Sequence, residues 1–127
     1  MAWSDLISHS SPGALRADVS VHGFDDMNYF RYFHESLGDL SGKTITAYIY
    51  LESGPFMIAT IYALDADWYW ANGDWVTLSV GEWVCAALEL DAPLNTTGSF
   101  SPTTILDVGV GFQGDGDAIL VLDDVGY

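Results

Sequence analysis

The residues from Lys43 to Glu52 alternate without a break. Ile45, Ala47, Ile49 and Leu51 fall on one side of an extended chain, and Thr44, Thr46, Tyr48, Tyr50 and Glu52 on the other. A period of two marks a half-buried β-strand, because successive side chains leave a strand on opposite faces. The same pattern recurs along the chain. Ala14–Val21 puts Leu15, Ala17, Val19 and Val21 on one face, and Met27–Glu35 is aromatic and extended. Phe56–Leu64 follows a Ser53-Gly54-Pro55 turn, and a short turn at Gly81 separates Asp74–Ser79 from Glu82–Leu90. Thr104–Phe112 and Ala118–Val125 flank Gln113-Gly-Asp-Gly-Asp117, whose Gly/Asp composition predicts a hairpin turn. Clean helical periodicity is missing throughout, with Phe24–Leu37 the one ambiguous segment. About eight short strands without helices between them predict an all-β, antiparallel sandwich or barrel. Apolar residues on both sides of Lys43–Leu64 favour the sandwich, with two sheets of about four to five strands each and Tyr48, Tyr50 and Tyr62 projecting from one face.

The 127 residues make one domain with a real core. No apolar run approaches the roughly 20 residues that span a bilayer. Met1-Ala-Trp-Ser-Asp5 lacks the basic and apolar regions of a signal peptide, so an exported form is expected to have lost its signal or to be one module of a longer chain. Eighteen acidic residues against three basic ones (Arg16, Arg31 and Lys43) give a net charge of −15. Such a surface repels phosphate backbones and anionic membranes, which leaves neutral ligands or cations as partners. The single cysteine, Cys85, sits in the apolar run Trp83–Leu90 and is expected to be a buried thiol packing as a small hydrophobe. His9, His22 and His34 lie far upstream of it with no nucleophile or metal signature around them.

Four of the five tryptophans fall between Trp68 and Trp83, in a stretch interrupted by Asn72, Gly73, Asp74 and Gly81. Turn-forming residues among indoles describe a strand end, an aromatic loop and a new strand. Flat rings on a β scaffold suit a pyranose, whose axial C–H bonds form an apolar face that stacks on an indole or phenol. Its polar edges need neighbours such as Asp67, Asn72 and Asp74. Trp68 and Trp70 are two apart, so an extended backbone would present them on one side as a platform, with Tyr69 opposite. Arg31 would offer a donor to a sugar hydroxyl, or form a structural ion pair.

The strings Leu40-Ser-Gly-Lys-Thr-Ile-Thr-Ala-Tyr-Ile-Tyr-Leu51, Asp67-Trp-Tyr-Trp70, Val76-Thr-Leu-Ser-Val-Gly-Glu-Trp-Val84, Val108-Gly-Val-Gly-Phe112 and Leu122-Asp-Asp-Val125 follow in an order and spacing that resembles the β-jelly-roll carbohydrate-binding modules appended to secreted glycanases. The resemblance runs from about Ser11 to Val125. It implies a jelly-roll sandwich, an extracellular setting and a covalently linked catalytic domain. The family's first strand carries a Glu and a Trp, and only Ala2-Trp3 represents it here, so that strand is expected to be shortened or missing. The resemblance also implies a structural Ca²⁺ near the first and last strands, held in part by Asp123 and Asp124; the plainer alternative is an exposed strand end. In the family pattern Trp83 is structural.

Glycoside hydrolysis needs two placed carboxylates. Glu35, Glu52, Glu82 and Glu89 lie in separate segments without the spaced acidic motifs of small jelly-roll glycanases, and no Ser-His-Asp pattern or phosphate loop is present. The expectation is therefore a binding module without catalysis. It would hold a neutral β-linked poly- or oligosaccharide of mannan, glucan or xylan type, through Trp68, Trp70, Tyr48, Tyr50, Tyr62, Asp67, Asn72, Asp74 and Arg31. The rival reading is a structural or adhesive extracellular sandwich whose aromatic face is a protein-assembly interface.

Overall fold

The alternating segments form nine β-strands and one 3-10 turn in the computed structural model, which describes residues 2–4, 14–31 and 37–126. The strands are β1 (Ala2–Ser4), β2 (Ala14–Arg31), β3 (Thr44–Ser53), β4 (Met57–Asp65), β5 (Trp70–Asn72), β6 (Val76–Leu78), β7 (Trp83–Glu89), β8 (Asn95–Thr96) and β9 (Ile105–Gly126), with the 3-10 turn at Pro102–Thr104. All pairings between these strands are antiparallel. One sheet runs β1, the first half of β2, the second half of β9, β3 and β7. The other runs the end of β2, the first half of β9, β4, then β5 and β6 end to end beside β4, with β8 outside β5. The architecture is the antiparallel β-sandwich expected from the strand pattern. Ala2–Ser4 forms the three-residue strand β1, with Trp3 in register with Leu15.

The expected hairpin at Gln113–Asp117 is absent. Residues 105–126 are one continuous strand, and Gly114, Asp115, Gly116 and Asp117 pair with Gly23, His22, Val21 and Ser20 of β2. A Gly/Asp run reverses a chain only if its two flanks pair with each other. Here a long partner follows the strand through the corner instead, with its own irregularity between Gly23 and Asn28. Gly116, at φ 136, bends the strand without reversing it. For the same reason Ala14–Val21 and the start of Met27–Glu35 are one strand; residues 32–35, and with them His34, lie outside the described residues, as does His9.

The inward faces close the core. Ile45, Ala47, Ile49 and Leu51 from β3 meet Met57, Ala59, Ile61 and Ala63 from β4, with Val108, Val110, Phe112, Leu120 and Leu122 of β9 contributing to both sheets. Each fully buried Ile, Leu or Phe contributes about 1.5–3 kcal/mol. Between β3 and β4 the chain crosses from one sheet to the other. At that crossing Gly54 has φ 146, and a Cβ there would stand 2.7 Å from the Cβ of Ala118, so only glycine fits.

Cys85 corrects the sequence reading. It is exposed, because Ala86 and Leu88 are the inward residues of β7 and Cys85 alternates with them. The uniformly apolar run Val84-Cys-Ala-Ala-Leu88 hides that period.

Candidate functional site

Alternation along β4 turns Tyr62 and Leu64 outward. Across the ladder Asn72 is opposite Tyr62 and Trp70 opposite Leu64, so Trp70 is the diagonal neighbour of Tyr62 on the same face. The two rings stack, with centroids 4.6 Å apart and planes 8° from parallel. Tyr29 completes the cluster edge-on, 5.5 Å from Tyr62 and 5.4 Å from Trp70. Tyr29 belongs to β2, and β9 lies between β2 and β4. Ring contact across an intervening strand requires that strand to present no side chains there. The outward residues of β9 at that level are Gly109, opposite Tyr62, and Gly111, opposite Tyr29. Tyr29 is 52% exposed and Trp70 half-buried, whereas Tyr62 is only 3% exposed. Tyr62, expected to stack on a sugar, therefore supports the other two rings from beneath.

Tyr29 was not among the residues expected at the site. Its signal was the alternating glycine of Val108-Gly-Val-Gly-Phe112, which on an interior strand makes room for a ring from next door.

The β4–β5 connection shapes the next part of the surface. Asp65 is 1% exposed, and its Oδ1 accepts hydrogen bonds from the backbone N–H groups of Asp67 and Tyr69, each at 2.9 Å. Its Oδ2 accepts from Ser101 N at 3.0 Å, and its main chain exchanges bonds with Trp68 and Tyr69. The segment is thus a tight turn and not extended. Trp68 sits in it at φ 66, with 69% of its surface exposed. The parity that places Trp68 and Trp70 on one side holds only for extended backbone and does not apply to this turn. Tyr69 packs on Gly98, where a Cβ would collide with its ring. Thr97 ties the next loop to the hairpin through Thr97 Oγ1, which accepts from Trp70 N at 2.8 Å, and through its own N–H, which donates to Trp70 O at 2.8 Å.

The remaining expected residues do not gather here. Tyr48 and Tyr50 lie on the outer face of the first sheet, opposite Cys85 and Trp83 of β7, while Tyr62 is on the outer face of the second. The shared groove predicted for the three tyrosines is excluded, because β3 and β4 do not form a hairpin with each other. Tyr50 and Trp83 form a tilted pair 5.2 Å apart. On the same sheet Arg16 Nη2 meets Glu52 Oε2 at 2.7 Å, and this hydrogen bond holds the guanidinium above its ordinary pKa.

Asn72 is 4% exposed, and its amide donates to Gly73 O at 2.9 Å and Thr60 Oγ1 at 3.4 Å, so it is spent inside the sheet and does not face a ligand. Asp67 is exposed beside Trp68. Asp74 is exposed too, but it lines a separate cleft with Ala87, Glu89 and Leu94. Arg31 is in register with Gly109; its side chain lies outside the described residues, as does that of Asp124. Asp123 is half-buried opposite Tyr48. Among the described residues no group of three or more His, Cys, Asp or Glu is placed to hold a metal ion, and no helix is long and apolar enough to cross a membrane.

The chain superposes on the family 30 carbohydrate-binding module of a cellulosomal cellulase of Clostridium thermocellum with a TM-score of 0.63, covering 98% of this chain and 79% of that one at 11% identity. At that identity the likeness concerns the sandwich and not the side chains. No family model matches the sequence, and no curated protein matches it.

Proposed function

We propose that this chain is a non-catalytic carbohydrate-binding module. The observation that carries the proposal is the Tyr29–Tyr62–Trp70 cluster on the outer face of a sandwich shared with a cellulase's carbohydrate-binding module. Trp70 and Tyr29 stack against pyranose faces, with Tyr62 fixing their orientation, and Trp68 adds an indole at the end of the same hairpin. Asp67 and Arg31 supply hydrogen bonds to sugar hydroxyls. The ligand is a neutral β-linked polysaccharide of glucan, mannan or xylan type, because a net charge of −15 repels polyuronates. Each stacked ring contributes about 1–2 kcal/mol, so two or three rings, less the ordering of the glycan, give dissociation constants of about micromolar to millimolar size. A linked catalytic domain in an extracellular setting would raise the effective affinity through tethering.

Affinity electrophoresis against soluble mannan, xylan, mixed-linkage glucan, xyloglucan and pectin tests the proposal, with Tyr29→Ala and Trp70→Ala variants alongside. The expected result is retardation by a neutral glycan that both variants lose and that Tyr50→Ala and Trp83→Ala keep. Loss in the second pair alone moves the site to the first sheet. An arm with EDTA reports on the structural calcium expected near Asp123. A second reading, protein assembly, draws on the Tyr50–Trp83 pair beside the exposed Cys85 on β7, which pairs on one side only among the described strands. Concentration-dependent mass in light scattering, with no glycan retardation, would establish it instead.

A further inference from the structure

We infer that Asp65 is a positioning residue for a glycan-stacking Trp68, an inference that rests on the carbohydrate reading above. Two features of the β4–β5 turn carry a cost: the first is not offset by packing, and the second is met by hydrogen bonds that order the turn. The first is the conformation of Trp68. A left-handed φ of 66 is routine for glycine and asparagine but strained for a bulky L-residue. An indole that is 69% exposed recovers little of that strain by burial. The second is a carboxylate that is 1% exposed. Burying a carboxylate is unfavourable unless hydrogen bonds satisfy it, and Asp65 is satisfied by three backbone N–H groups, those of Asp67, Tyr69 and Ser101. Two of these fix the residues on either side of Trp68, and the third fixes the neighbouring loop, which Thr97 also joins to Trp70. A turn selected only to close a hairpin would place glycine or asparagine at the left-handed position. The arrangement fixes the backbone that carries a solvent-exposed indole, and strain of that kind persists where it serves a site. With the turn already ordered, a sugar ring stacking on Trp68 loses little further freedom.

The test is a cycle of Trp68→Gly, Asp65→Asn and the double variant, read by glycan retardation, thermal midpoint and amide hydrogen exchange. Trp68→Gly relaxes the backbone, so the midpoint rises while affinity falls by about three- to tenfold, the size of one lost stacking contact. Asp65→Asn keeps one acceptor oxygen and turns the other position into a donor. Exchange protection is therefore lost at Ser101 or at the Asp67 and Tyr69 pair, and affinity falls by about the same factor. In the Trp68→Gly background Asp65→Asn produces no further loss of affinity.

A fully additive loss shows that Asp65 acts on the fold in general and overturns the positioning role. So does a Trp68→Gly variant that retains full affinity or melts lower. No retardation of the unaltered protein by any glycan overturns the carbohydrate reading, and this role falls with it.

Discussion

Tyr29, Tyr62 and Trp70 touch one another, yet their exposures assign them different tasks. Tyr62 is buried as deeply as a core residue, so Tyr62→Ala is expected to destabilise the fold by about 3–5 kcal/mol in urea denaturation. Tyr29 is mostly in solvent, so Tyr29→Ala is expected to change stability by about 1 kcal/mol or less and yet abolish most glycan retardation. Cys85, exposed on its strand, is expected to react stoichiometrically with a thiol reagent in the native protein, without denaturant. Asp39 offers a pH test. Its Oδ1 accepts from Ser41 N at 2.9 Å and Ser41 Oγ at 2.6 Å, and the hydroxyl bond first, then the amide bond, holds the carboxyl below its ordinary pKa. A lowered carboxyl pKa contributes stability that is present above the unfolded value and lost as pH falls through the folded one. Ser41→Ala is expected to return the Asp39 titration toward the ordinary carboxylate range by NMR, and the stability gap between the two proteins should close at acid pH.

Beside β4, the strands β5 and β6 behave as one strand interrupted at Gly73, Asp74 and Trp75. Gly73 N donates to Ile61 O at 3.0 Å, and its O accepts from both Thr60 and Asn72. A Cβ on Gly73 would collide with the carbonyl of Ala87 in β7, which is backbone and cannot swing away. Gly73→Ala is therefore expected to lower stability by about 2–4 kcal/mol and to open the contact between the sheets, read as a lower urea midpoint. Within an element, the sequence was a good guide. The period of two placed Ile45, Ala47, Ile49 and Leu51 inside, where they are found. It failed wherever the answer depended on a distant partner. Gln113–Asp117 has hairpin composition, but whether it reverses depends on β2, about ninety residues away. Trp68 and Trp70 have strand parity, but the buried carboxylate of Asp65 curls the chain between them. Tyr48 and Tyr62 look alike locally, and the crossing at Gly54 sends them to opposite surfaces.

As a whole the molecule is an acidic body, of net charge −15, that carries the proposed platform for a neutral ligand. The proposed recognition uses rings and neutral hydroxyls, so glycan affinity is expected to change by less than about twofold between low and 0.5 M salt. A steep salt dependence would point to a charged partner instead. The two sheets are not independent layers, because β9 is an interior strand in both, lying between β2 and β4 in one and between β2 and β3 in the other. It is also the last of the described strands in chain order. A chain emerging from a ribosome can assemble neither sheet around its central partner until residues 105–126 are outside, so the earlier strands wait with their apolar faces unmatched. The two sheets are therefore expected to close only once β9 has been delivered, and exposure of the earlier strands to chaperones and proteases to last until then.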